Sequence, residues 1–197
     1  MSEENPKYQQ ILATAKDLFW KFGVKRVSIE EICREANVSK MTFYKFFPNK
    51  KELAVTIVKN VVGKSLVEFK ELVESKLSFE EKVRKMFLMK YEATENISAE
   101  FMSDLYKNPE LELHTHFEKM SRKSFSIFID FLKDSQQKGL IRKDIKVEFI
   151  LAFQNIITQF MDNKELMSAY NNPTEFIMES FNFLFYGMLT PKGRSDE

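Results

Sequence analysis

The stretch from Ser28 to Leu53, SIEEICREANVSKMTFYKFFPNKKEL, constrains this chain more than any other. It reads as a short helix, a tight turn, a second short helix and the start of a third. Between Glu35 and Glu52 no acidic residue occurs, although the whole chain carries 29 acids against 30 Lys and Arg. In that gap stand Lys40, Lys45, Lys50 and Lys51, with Ser39, Thr42 and Tyr44. A small helical unit with one acid-free basic edge is what a helix-turn-helix needs against a duplex.

The local chemistry supports this reading. Ser28-Ile-Glu-Glu31 is a capping box, and Ile29, Ile32, Cys33 and Ala36 give the helix it starts a buried face. Asn37, which tolerates positive φ, suits the turn. Ser39 is placed to cap the next helix, where Phe43 and Phe47 point inward and Thr42, Tyr44 and Lys45 outward. Pro48 ends it. Upstream, Asn5-Pro6 opens a helix with Ile11, Leu12, Ala15, Leu18, Phe19 and Phe22 on one face, and Gly23 stops it.

Downstream the periodicity predicts a helix of about 25 residues from Lys50 to Glu74, roughly 37 Å long. Ser78-Phe-Glu-Glu81 caps a fifth helix running to Thr94. A shorter helix is expected over Ser98–Tyr106, and a long one from Asn108-Pro109 to Gly139. Two strongly apolar helices follow, at Val147–Met161 and, with Asn172 as cap, up to Met188. The expected fold is all-α with about nine helices and no β-strand. Residues 1–49 form the helix-turn-helix domain, 50–190 a larger helical domain for ligand binding and dimerisation, and 191–197 a disordered tail.

The net charge of +1 makes any nucleic-acid footprint local. One cysteine, Cys33, excludes an intrachain disulfide and a Cys-based metal site, and fits a reducing compartment. The polar, acidic start lacks a signal-peptide pattern, and no run approaches the roughly 18 apolar residues of a span. A cytoplasmic protein is expected.

Over Ala15–Leu53 the chain resembles the TetR/AcrR family of bacterial transcriptional regulators. Leu18-Phe19, Gly23, Ser28, Ile29, Ile32, Val38-Ser39-Lys40, Thr42, Tyr44, Phe47 and Lys50-x-x-Leu53 stand where that family's pattern has them. Asn37, Cys33 and Met41 depart from it, where glycine, alanine and a small residue are usual. The resemblance implies a dimer on a roughly palindromic DNA operator, usually as a repressor. It assigns Tyr44 and Lys50 mainly to phosphates, and Thr42, Lys45 and Lys40 to the groove, with Met41 near the DNA-facing helix start. From the residues alone, Ser39 and Ser28 sit at helix starts suited to an anion.

The chain holds 20 Phe and 10 Met, adaptable lining for an apolar cavity, which the family places among its middle helices. Phe87, Tyr91, Phe101, Phe117, Phe125 and Phe153 are the candidates for a small-molecule effector site. The last two helices are apolar on more than one face, through Phe149, Phe153, Ile156, Phe160, Ile177, Phe181, Leu184 and Phe185. Packing on the body and on a twin copy accounts for that. Effector binding is then expected to shift the fourth helix and release DNA. No cofactor is implied.

Two other classes compete. An enzyme is disfavoured: His114 and His116 point to nearly opposite sides of a helix, and no phosphate loop or nucleophile elbow occurs. A DNA-bound adaptor, whose larger domain docks a protein instead of a small molecule, shares the same N-terminal half.

Overall fold

The computed structural model describes residues 4–92, 97–160, 163–171 and 173–188, and within them ten α-helices and one 3-10 turn. The helices are α1 (Pro6–Phe22), α2 (Ile29–Glu35), α3 (Lys40–Phe46), α4 (Lys50–Glu74), α5 (Phe79–Glu92) and α6 (Ala99–Lys107). After the 3-10 turn at Pro109–Leu111 come α7 (Leu113–Gln137), α8 (Val147–Phe160), α9 (Lys164–Met167) and α10 (Pro173–Met188). There is no strand among the described residues.

Each start in the N-terminal region has its cap. The Asn5 side chain accepts from the amide of Lys7 at 3.0 Å, with Pro6 opening α1. Ser28, Ser39 and Ser98 do the same for α2, α3 and α6, accepting from Glu31, Thr42 and Phe101. Asn49 caps α4 through the amide of Glu52 at 2.8 Å. The box at Ser78 is complete, since the Glu81 carboxylate also accepts from the Ser78 amide at 2.9 Å. That at Ser28 is half made: the Glu31 carboxylate lies 4.0 Å from the Arg26 guanidinium instead. The expected cap Asn172 lies outside the described residues, and the Glu175 carboxylate reaches back to the Asn171 amide at 2.9 Å.

The helix expected from Asn108-Pro109 begins later. Pro109–Leu111 is a 3-10 turn, and Glu112 takes a left-handed φ of 56° before α7 starts. The four-residue α9 carries too short a period to be read from sequence.

Packing divides the chain into two units, residues 1–67 with 95–123 and residues 68–94 with 124–197. In the first, Ile11, Ala15, Phe19, Ile32, Phe43 and Leu53 are fully enclosed, and Phe101, Leu105, Leu111 and Leu113 join the same core. Trp20 lies against Phe101 with ring centres 4.3 Å apart, and the Ser98 amide donates to the Trp20 carbonyl at 2.9 Å. In the second, α10 packs on α5 and Phe79 stacks on Phe131 at 5.4 Å. Leu132, Ile141 and Ile150 lie at its centre.

Phe43→Ala is expected to cost about 3–5 kcal/mol, because its ring is wholly enclosed and its loss leaves a cavity. The urea midpoint of the full chain measures it.

Candidate nucleic-acid interface

The interface is built outward from the inner face of α3. The chain leaves α2 through Ala36 and turns at Asn37, whose φ is 49°, the left-handed conformation that Asn tolerates. The Val38 amide donates to the Cys33 carbonyl at 2.9 Å and closes the turn. Ser39 then starts α3. Phe43 is buried, and Phe47 stacks on Tyr8 at 5.1 Å while Phe46 meets Tyr8 edge-on at 5.6 Å. With that face committed to α1, Lys40, Met41, Tyr44 and Lys45 are left outside. Met41 is 83% exposed and Tyr44 54%, its ring edge-on to Phe43 at 5.4 Å. Thr42 is half-buried, its hydroxyl sharing a 2.9 Å hydrogen bond with that of Ser39.

The lysines are less alike than their spacing implies. Lys40 donates to the Glu30 carboxylate of α2, which holds that carboxyl below the usual range and raises the Lys40 ammonium. Lys51 pairs with Glu112 at 2.6 Å. Lys50 is half-buried and turned inward: its ammonium donates to the carbonyls of Lys25 at 3.0 Å and Val27 at 2.5 Å. Burial pushes its pKa down, and the Asp104 carboxylate opposes that shift. An exposed phosphate grip is therefore not what the geometry gives Lys50. Among the described residues, Lys45 alone of these four has no hydrogen-bond or ion-pair partner.

Ser28 is exposed, and with its oxygen accepting from the Glu31 amide its hydroxyl retains a proton that it can donate to an anion. Sequence reasoning passed over Arg26. It lies two residues before Ser28, with its guanidinium 4.2 Å from the centre of the Phe22 ring, and adds a cation to the same edge. Its position beside a helix cap was the available signal.

The six aromatic residues expected around an effector are divided between the units. Phe101 is core against Trp20, and Phe117 lies beside that core with its ring edge-on to Tyr106 at 6.0 Å. Phe87, Tyr91 and Phe153 belong to the core of the second unit, and Phe125 is half-exposed. A groove of about 400 Å³ in that unit is floored by Phe79 and Phe131 and rimmed by Lys82, Asp130, Asp134 and Lys138. None of the six lines it; Phe153 lines a smaller hollow of about 130 Å³ between α8 and α10.

On the last helices, Phe149, Ile156 and Phe160 are exposed and Phe153 half-buried. Leu184 is buried in its own unit's core rather than presented to a twin. Its neighbours Phe183 and Tyr186 are exposed instead, and Phe149, Phe153 and Phe183 form a stacked ribbon with centres 6.2 and 6.1 Å apart. Phe183 stands one residue from Leu184 on α10, a turn of about 100° about the helix axis. The side chains of Ile177, Phe181 and Phe185 lie outside the described residues. No cluster of three His, Cys, Asp or Glu side chains among the described residues could hold a metal, and no helix there is long and apolar enough to cross a membrane.

Residues 11–57 match the family model for bacterial regulatory proteins of the tetR family. The chain is similar to the fatty acid metabolism regulator protein of Bacillus subtilis strain 168, at 22% identity over 150 residues, 75% of this chain and 77% of that one. Its fold resembles the reduced form of Escherichia coli NemR, with TM-score 0.71 at 16% identity over 95% of this chain and 99% of that one. It also resembles the Bacillus subtilis regulator FadR in complex with stearoyl-CoA, with TM-score 0.63 at 18% identity over 95% and 100%.

Glu30→Gln removes the partner of Lys40 and a negative charge from the same edge. Binding to a random-sequence duplex at low salt is expected to tighten roughly threefold, and the slope of log affinity against log salt to steepen by about 0.9 per phosphate gained. Fluorescence anisotropy across a salt series measures both.

Proposed function

We propose that the chain, a TetR-family transcriptional regulator, is a ligand-released repressor that binds a roughly palindromic operator as a dimer. The observation carrying this reading is the outer face of α3, where Met41, Tyr44 and Lys45 project while Phe43 and Phe47 hold the opposite face in the core. A recognition helix enters the major groove by its N-terminal half, and dimers present two such helices to two half-sites. In this reading Tyr44, Ser28 and Ser39 meet phosphates, and Lys45, Thr42 and Met41 face base edges, with Lys40 able to exchange Glu30 for the duplex. Lys50 acts from behind by holding the loop before α2.

The aromatic ribbon of α8 and α10 supports the dimer. Phe149 and Phe183, joined through Phe153, expose an apolar surface of the sort that self-association covers, and Tyr186 on α10 is exposed as well. The effector is a small apolar or amphipathic molecule taken up by the second unit. The groove floored by Phe79 and Phe131 supports this, as does the likeness to a regulator solved with stearoyl-CoA. Two lysines and two aspartates rim that groove, and their balance favours neither charge. Release follows if the effector binds better to the conformation whose two heads no longer match the half-site spacing.

Tyr44→Ala is expected to weaken binding to all duplexes about tenfold, while Lys45→Ala costs about 1–3 kcal/mol and relaxes base preference. Binding to a random-sequence pool, followed by sequencing of what is retained, reads both. Wild-type behaviour in both variants would remove α3 as the reading helix. Phe183→Glu, at a side chain 73% exposed, should leave the fold intact and convert a dimeric mass to a monomeric one by light scattering. A monomeric wild type at micromolar concentration overturns the dimer.

A further inference from the structure

We propose that Asp104 is a positioning residue for DNA binding: from α6 it fixes the loop between α1 and α2, and with it the helix start at Ser28. The inference rests on the reading of α2 and α3 as a duplex-binding pair. Asp104 itself lies behind them and does not reach their outer face.

Asp104 is only 6% exposed. A buried carboxylate is costly unless every oxygen has a donor, and this one has both satisfied. One oxygen accepts from the backbone amide of Lys25 at 2.9 Å, and the other from the Asn108 side-chain amide at 2.8 Å. Asn108 is oriented in turn by the Lys25 ammonium, which donates to its oxygen at 2.6 Å and pairs with Glu110 at 3.0 Å. The carboxylate sits directly on bare backbone. Gly23 has φ +80°, and a Cβ there would lie 2.9 Å from the Asp104 oxygen and 3.1 Å from the Glu100 Cβ. Glycine at this position therefore serves two needs, the backbone conformation and the approach of α6.

The same residue is held from its other side. The Lys25 carbonyl, with that of Val27, receives the Lys50 ammonium from α4. Lys25 thus has its N–H fixed by a carboxylate from one helix and its C=O by an ammonium from another. Val24 and Val27 are fully buried between these anchors. Ser28 follows Val27 immediately, so the loop has no free backbone in which to absorb a displacement before α2 begins. Apolar residues alone would have packed this loop. A buried carboxylate with both oxygens hydrogen-bonded adds direction, because hydrogen bonds accept one geometry where apolar contacts accept several.

The test uses the full-length chain and a duplex enriched from a random-sequence pool by the wild-type protein. At a temperature where circular dichroism shows it folded, Asp104→Ala should bind that duplex at least tenfold more weakly with an unchanged salt slope, since the contact it loosens, at Ser28, is uncharged and releases no counterion. Asp104→Asn, which keeps an acceptor for the Lys25 amide, should recover most of the loss. Ser28→Ala should cost much less in the Asp104→Ala background than alone, because a loosened loop no longer places Ser28. A folded Asp104→Ala that binds within twofold of wild type overturns the proposal, as does a loss that simply adds to that of Ser28→Ala. Should Asp104→Ala fail to fold, Asn108→Ala carries the same comparison. An affinity loss of about threefold at unchanged salt slope in Asn108→Ala supports the proposal, and wild-type affinity in Asn108→Ala defeats it. A wild-type chain that enriches no duplex at all defeats the DNA-binding reading instead.

Discussion

Helices α2 and α3 are seven residues each, far below the dozen or so at which a helix begins to persist alone in water, so they exist only through what they bury. For α3 that anchor is Phe43, enclosed against the core of the first unit, with Phe47 stacked on Tyr8. The outward direction of Tyr44 and Lys45 is a consequence of this inward one. Residues one and two positions along a helix from a buried residue are turned about 100° and 200° from it. Any movement of Phe43 is transmitted to the presented face, because a short helix has no length over which to dissipate it.

The legible parts of the chain were those set by neighbouring residues. Ser28, Ser39 and Ser78 cap the helices that their spacing predicted, and Asn37 takes the positive φ its side chain tolerates. The burial of Phe43 and Phe47 followed from period alone. Less legible was anything requiring a distant partner. The acid-free stretch from Glu35 to Glu52 looked like a uniformly free basic edge, yet Lys40 meets Glu30 and Lys51 meets Glu112. Sequence distance hides such pairs: Glu112 comes near Lys51 only because α6 and the turn after it share a core with the head.

The same limit explains the aromatic side chains. Composition showed that the chain is rich in Phe, and period showed which residues share a face, but neither says which body a face packs on. Phe101 lies mid-chain among the aromatic candidates for a cavity, yet it packs on Trp20 in the first unit. Leu184 and Phe183 are adjacent, and only the packing of α10 on α5 decides which is buried. The buried Asp104 had no sequence signal, since an aspartate in a polar helix reads as solvated until the loop it holds is known.

Two kinds of lysine emerge from this arrangement, and they differ in how freely each can change partners. The pairs of Lys40 with Glu30 and of Lys51 with Glu112 are made near the surface, where water competes for both partners and an ion pair holds weakly. A phosphate can replace either carboxylate without leaving a buried group unpaired. Lys50 cannot change partners so freely. Turning its ammonium outward would strip a donor from two carbonyls, one of them that of Val27 beside the α2 cap. Leaving such groups unsatisfied costs more than a surface contact returns. In the proposed reading, electrostatic attraction to the duplex therefore falls to Lys45 and to exchangeable lysines such as Lys40. Lys50 holds the loop at Lys25–Val27 ahead of α2, and in the proposed reading it contributes through shape.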